Sequence, residues 1–558
     1  MAFNSNAGGS LPERFLQQLK SPLHLAFAKS TPAFLLGAFV IWGWAFSSSI
    51  KNIGKWRRRE EYGSARLGTP NELNSKYKQD KNILISENVR LGIDTKKHGK
   101  ACNVLVYGAS GSRKTQGYVI PNIMELSTSY VIIDPSGESY RATGGLLEKN
   151  GYEIRVFDLN SMENTHRFNP FVYIQNEMDV RRLATSFAAS TTDKTKMGGD
   201  QFWTDGMQQL NEALIGFLYE TLPPGEGTFS KMTMLLKLAE LKSDDMGAES
   251  DLDLIFKDYG ESNPDSYAWG QYQMFKSAPP KTRASIISTL ATRLGAFNMK
   301  KVADLTCEDE LDIEKMGDRK SALFCIVPEG EQSFDFLVGM LYTTLFMVLY
   351  RKADNREDGF VGLDIPVHFI MDEWYNCGLP DSFDKKLATC RRRNIFISII
   401  VQGLSQIKTR MDKAYEGILS NCPTLLYLGS NEQTTWDFIS KSMGNETINA
   451  QTGGRSGNNM STNQQILGRA LMTPAEVRGL DDNLCIVLMQ GENPVIDNKF
   501  DIMKHKRIKD TIRGGAKPYR KKILHIDREE YEAIQRSLIN FEFLEPEINR
   551  SALDDEEQ

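Results

Sequence analysis

Residues 103–125 read NVLVYGASGSRKTQGYVIPNIME, and the order of residue types in this stretch decides the fold. Val104–Tyr107 is a short uncharged apolar run, which predicts a buried strand. The run stops at Gly108, and Ala109-Ser110-Gly111-Ser112-Arg113-Lys114-Thr115 leads into a helix-like segment. Strand, glycine-containing turn, Lys-Thr and helix are the parts of a P-loop. Backbone N–H groups of such a turn cradle phosphates, the lysine reaches the β- and γ-oxygens, and the threonine hydroxyl holds Mg2+. The helix behind adds its positive N-terminal dipole. Gly108, Gly111, Ser112, Arg113, Lys114 and Thr115 are therefore the expected nucleotide contacts, with ATP and Mg2+ the expected cofactors. One position departs from the pattern: G-x-x-x-x-G-K-[ST] has glycine where this chain has Arg113. An arginine there must turn its side chain outward or lay it on the phosphate. Taken alone, the loop also fits an ordinary strand–turn–helix with a surface Lys-Thr.

The second half of the motif lies at residues 366–380, PVHFIMDEWYNCGLP. Val367–Met371 predicts a strand that ends in Asp372-Glu373. In P-loop ATPases the carboxylate ending this strand holds Mg2+, and an adjacent glutamate polarises the attacking water. Asp372 and Thr115 are the expected metal ligands, and Glu373 the expected base. A third strand, Ile395–Val401, ends in Gln402, where a polar side chain can sense the γ-phosphate. Arg391-Arg392-Arg393 precedes it. Arg391 or Arg393 would serve as a finger reaching a neighbouring subunit's site; surface charge or DNA contact is the other reading.

Further strands are expected at residues 131–133 (VII, before DPSGE), 152–157, 318–328 and 424–429, with a closing segment at 485–496. Strands alternating with helices predict an α/β fold with a parallel sheet and a site at the strands' C-terminal ends. Between about residues 178 and 315 the apolar spacing turns helical, which predicts an inserted all-alpha domain. A long helix is expected at 334–352, an antiparallel pair within 76–100 and a polar loop at about 456–468.

Composition narrows the function. A net charge of −5, with 41% hydrophobic and 25% charged residues, excludes a chain-wide basic nucleic-acid wrapper. Any such contact needs a local patch. Seven scattered cysteines with no C-x-x-C fit buried thiols in a reducing compartment, and six isolated histidines form no ligand cluster. Residues 33–50, AFLLGAFVIWGWAFSSSI, carry no charge and are near the minimum length for a bilayer span. Lys51, Lys55 and Arg57-Arg58-Arg59 follow, so the positive-inside rule puts the rest of the chain in the cytoplasm. A cleaved signal peptide and a buried helix are the alternatives.

Together YGSARLGT, the P-loop with IPNIME, VIIDPSGE, FNPF, DRKSALF, MDEWYN, LATCRRRNIFISIIVQGLSQ and NCPTLLYLG resemble the type IV secretion-system coupling proteins. These are TraG/TraD-type conjugal transfer ATPases, here in their Gram-positive form. The resemblance covers residues 62–508. It implies a RecA-like P-loop nucleotide-binding domain, an inserted all-alpha domain and an N-terminal transmembrane helix. It further implies a homo-hexamer at the cytoplasmic face of the cell membrane that feeds a relaxase-bound single DNA strand into a type IV secretion channel. Carried over by position, Lys114 and Thr115 form the Walker A pair, Asp372 and Glu373 the Walker B pair, and Gln402 the following glutamine. Trp374 stands where phenylalanine is more frequent. Protein effectors as cargo, and a membrane assembly protein with a weak P-loop, are the competing readings. The implied layout is an N-terminal segment and single span at 1–50 and a cytoplasmic linker at 51–95. The nucleotide-binding domain covers 96–177 and 316–503, interrupted by the helical domain at 178–315. A tail at 504–558 is first basic, then acidic from Asp527; it reads as a solvated helix with a disordered end, or as a DNA or lipid contact with a docking tail.

Overall fold

The computed structural model describes residues 31–53, 60–191, 201–240, 249–328, 330, 333–380, 382–456 and 459–523. Its strands are β1 Asn82–Leu84, β2 Arg90–Gly92, β3 Val104–Tyr107, β4 Ser129–Ile133, β5 Glu153–Asp158, β6 Ser321–Ile326, β7 Val367–Met371, β8 Ile395–Val401, β9 Thr424–Tyr427, β10 Asn445–Ser456, β11 Asn459–Ala470, β12 Leu484–Met489 and β13 Val495–Asn498. The chain divides into two units, residues 67–443 with 472–558, and residues 1–66 with 444–471.

The larger unit is organised on a nine-stranded sheet of order β13-β12-β9-β3-β8-β7-β4-β6-β5. From β9 to β5 every neighbouring pair is parallel, while β12 and β13 close one edge antiparallel. Every residue of β3, β4, β6, β7, β8 and β9 is buried. That is why these strands read as unbroken apolar runs: helices cover both faces of a parallel sheet. The helix Asp335–Asp354 is apolar enough to cross a membrane, but it is 72% buried. Phe346 stacks on Phe369 of β7 with ring centroids 4.8 Å apart, so this is a core helix.

Between β5 and β6 the described residues contain helices and no strand: Glu177–Ser190, Gln201–Thr221, Phe229–Lys237, Asp251–Ser262, Tyr267–Lys276, Pro280–Leu294 and Lys300–Leu305. Local chemistry fixes their starts. Asn176, Thr228, Ser250 and Ser266 cap four of them through side-chain oxygens. Phe187, Phe229 and Phe297 stack at 5.1 and 4.5 Å as the centre of their core.

Three expectations are corrected here. Residues 70–95 are more than a linker: the expected antiparallel pair is there as β1–β2, and with the helix Pro70–Tyr77 it buries Leu73, Tyr77, Ile83 and Leu91 in the sheet's core. The polar stretch 456–468 is no loop. Within the smaller unit β10 and β11 pair antiparallel from Asn445↔Ala470 to Ser456↔Asn459, so backbone hydrogen bonds hold a hairpin that its side chains do not announce. The basic stretch from Lys504 is no helix but a series of single turns lying on the larger unit. Lys504 pairs with Glu87, Asp510 with Lys149, and Arg507 Nη1 donates to the Met124 carbonyl at 2.8 Å. The smaller unit also carries the helix Thr31–Ile53, and no residue of its apolar window Pro32–Ser49 is buried. The basic cluster at 55–59 and the acidic tail from Asp527 fall outside the described residues.

Candidate nucleotide site

Four neighbouring strands end at one edge of the sheet, and each delivers a polar group there. Their order is β3, β8, β7, β4. Gly108 follows β3, Gln402 follows β8, Asp372 follows β7 and Asp134 follows β4. The register aligns these ends: Tyr107 lies beside Val401, and Ile133 beside Met371. Such an edge is where open parallel sheets place ligands.

The loop after β3 is held by its own backbone. Gly108 N–H donates to Val401 O at 2.9 Å, Ala109 N–H to Gly429 O at 2.8 Å, and Ser112 N–H to Ala109 O at 3.1 Å. A Cβ on Gly108 would come within 2.5 Å of Ser112 Oγ and 2.6 Å of the Lys114 side chain, so the loop closes only over glycine. Arg113 has φ of 70°, the left-handed conformation that a glycine adopts freely. The substituted position therefore keeps the backbone of the motif, and its side chain is exposed. Thr115 opens a single π-helical turn that continues into the helix Ile120–Met124.

Thr115 Oγ1 donates to Asp372 Oδ2 at 2.8 Å, joining the P-loop to the end of β7. Asp372 is buried, and burial pushes its carboxyl up to about 6 against the Thr115 hydrogen bond and the Lys114 charge. Burial likewise raises Asp134 to about 6, although it accepts the Tyr140 N–H at 2.7 Å. Two buried polar atoms at this edge, Asp372 Oδ1 and Ser112 Oγ, have no hydrogen-bond partner in the protein. A free carboxylate oxygen beside a threonine hydroxyl suits a hydrated divalent cation. A free hydroxyl within the loop suits a phosphate oxygen, so the donor set fits a nucleotide with Mg2+.

A small cleft opens beside the loop. Lys114, Glu373 and Gln402 line it, together with Tyr375, Asn376 and Gln406. Glu373 also sits at positive φ, 58°, and accepts a hydrogen bond from Asn376 Nδ2 at 3.2 Å. Gln406 Oε1 accepts the Gln402 backbone N–H at 2.8 Å.

Residues 66–519 match the family model described as type IV secretory system conjugative DNA transfer. The chain belongs to this family. VirD4 of Rhizobium radiobacter is 24% identical over 429 residues, 74% of this chain and 58% of VirD4. TraG of Escherichia coli is 25% identical over 404 residues, 68% of this chain and 62% of TraG. The chain thus spans about three fifths of the length of these two relatives. Among solved structures, the bacterial conjugative coupling protein TrwBdeltaN70 superposes with a TM-score of 0.59 at 15% identity, covering 81% of this chain and 96% of that one. TrwB in complex with ADP and Mg2+ gives 0.56 at 15% identity, covering 78% and 94%. The fold is that of the RecA-like coupling proteins.

Within this conjugative DNA transfer fold, Gly108, Gly111, Ser112, Arg113, Lys114, Thr115, Asp372, Glu373 and Gln402 all gather at one edge of the sheet. The arginines do not. Arg391 and Arg393 precede β8, at the opposite end of that strand from Gln402. Arg391 is exposed. Arg393 is corrected as a finger: it is buried, its Nε donates to Asp354 Oδ2 at 3.1 Å, and its guanidinium lies 3.9 Å from the Tyr350 ring centroid. Its charge is spent inside its own chain. Sequence reasoning passed over Asp134, Asn376, Gln406 and Lys499. DPSGE after an apolar run was the signal for Asp134, and spacing of four from Gln402 was that for Gln406. Lys499 is buried with its Nζ 3.4 Å from the Ser112 carbonyl, and burial lowers its pKa; nothing in its sequence neighbourhood marked it.

Proposed function

We propose that this protein is a membrane-anchored coupling ATPase that recruits a relaxase-bound single DNA strand and drives it into a type IV secretion channel. The observation that carries this reading is the Thr115–Asp372 hydrogen bond with Asp372 Oδ1 left free, inside a chain of the conjugative DNA transfer family. Thr115 and Asp372 would hold Mg2+. Lys114, Ser112 and the N–H groups from Gly108 onward would hold the phosphates of ATP. The bound cation supplies charge neutralisation at the phosphates. Glu373 accepts a proton from water in the cleft, and Gln402 orients that water or reads the terminal phosphate. Arg391, exposed and remote from its own loop, is free to reach the site of a neighbouring subunit, which supports a ring, with six copies as the family resemblance implies. The helix Thr31–Ile53 would be the single membrane span, with the larger unit in the cytoplasm.

The test is DNA transfer between cells. Donor cells carrying Lys114→Ala are expected to keep the protein in the membrane and to lose transfer, because the charge on the β- and γ-phosphates is gone. Capture of the relaxase with its strand by the wild-type protein is expected in the same donors. Undiminished transfer by Lys114→Ala, or capture of effector proteins without DNA, contradicts the reading.

A further inference from the structure

The turn that carries Glu373 is strained and held from outside. Glu373 is left-handed at φ of 58°, a conformation that costs a non-glycine residue about 1–2 kcal/mol. Such strain persists only where the surroundings fix it. Arg410 supplies the fixing. Its Nη1 donates to the Tyr375 carbonyl and its Nη2 to the Cys377 carbonyl, so one guanidinium fork spans the turn. Its Cζ lies 5.4 Å from the ring centroid of the buried Trp374, the residue next to Glu373.

Arg410 is carried on a rigid element that begins at the sensing end of β8. The helix Leu404–Met411 follows Gln402 directly. Its first turn is pinned from the β9 side: Leu404 N–H donates to Thr435 Oγ1 at 2.8 Å and Ser405 N–H to Glu432 Oε1 at 3.1 Å. Gln406 and Arg410 stand four apart on this helix, the spacing of one face, and Gln406 Oε1 accepts the Gln402 N–H. Gln406 lines the cleft with Glu373, and Arg410 grips the turn behind it.

We infer that Arg410 is a positioning residue for turnover: it holds Glu373 at a fixed place relative to Gln402, so that the proton-accepting and sensing groups move as one body. This rests on Glu373 being the base. A lysine keeps the charge but offers its donors from a single nitrogen, without the planar fork that fixes two carbonyls at a set separation. Displacement of a reacting group by about 1 Å costs on the order of 100-fold in rate.

The experiment uses the full-length protein in detergent and measures kcat, KM for ATP and affinity for a fluorescent ADP. Arg410→Ala is expected to lower kcat about 100-fold, with KM and ADP affinity close to wild type, and Arg410→Lys to recover part of kcat. Glu373→Gln is measured beside them. Wild-type kcat in both Arg410 variants while Glu373→Gln is inactive overturns the positioning role alone. Wild-type turnover by Glu373→Gln overturns the assignment of the base. Loss of ADP affinity in both Arg410 variants also overturns the positioning role, because Arg410 would then hold the whole site rather than the glutamate.

Discussion

Arg113 has a glycine's backbone and an arginine's side chain. Left-handed φ costs a non-glycine residue about 1–2 kcal/mol, part of which a glycine gives back through its freer unfolded chain. Arg113→Gly is therefore expected to raise the unfolding free energy by about 1 kcal/mol in urea titration, with a modest change in ATP affinity. Complete loss of ATP binding would mean that the guanidinium itself holds phosphate. This substitution also marks the limit of what the motif made legible. Lys114, Thr115, Asp372 and Glu373 were readable because a P-loop and an acidic strand end have fixed local spacing. Lys499 and Arg410 reach the site only through strand order and one helix's direction, which no local pattern encodes. Arg391 and Arg393 are two positions apart and meet opposite fates, because a single turn before β8 exposes one and buries the other.

Elements announce themselves in sequence when burial writes their pattern. The parallel strands inside the sheet, β3, β4 and β6 to β9, are buried on both faces and read as apolar runs with near-correct ends. The β10–β11 hairpin is held by backbone pairing between polar residues, so its composition resembled a loop. The segment after Lys504 is rich in cations that suggested a solvated helix, yet Glu87, Glu125 and the Met124 carbonyl bind it down. Between elements, one buried polar network has a measurable signature. Tyr118 of the P-loop helix and His368 of β7 both bond Ser398 of β8, at 2.7 and 2.8 Å. Burial lowers His368 to about 3, against 6.5 when exposed. The folded state thus excludes a proton that the unfolded chain accepts. Stability from this group is full above pH 6.5 and falls on acidification, by about 1.4 kcal/mol per pH unit. Between pH 7 and 5, His368→Leu is expected to lose about 2 kcal/mol less unfolding free energy than wild type. Parallel losses in the two proteins would show that His368 titrates as an exposed histidine.

At the scale of the whole molecule, the chain combines an exposed apolar helix with a candidate nucleotide site in a separate unit. A span acts by holding subunits on one surface at high local concentration. Removing residues 1–50 is expected to move the protein from the membrane pellet to the soluble fraction, to leave nucleotide affinity unchanged and to weaken ring formation. Stable hexamers of the shortened protein at low concentration would contradict the role of the span. In the proposed function Thr115, Asp372 and Glu373 form a working engine coupled to DNA. Its most direct test is steady-state ATP hydrolysis by the full-length protein in detergent, with and without single-stranded DNA, beside Glu373→Gln. Wild type is expected to hydrolyse ATP and to turn over faster with DNA, while Glu373→Gln binds ATP and does not turn it over. Equal rates for the two proteins, or no hydrolysis by wild type under either condition, would contradict it.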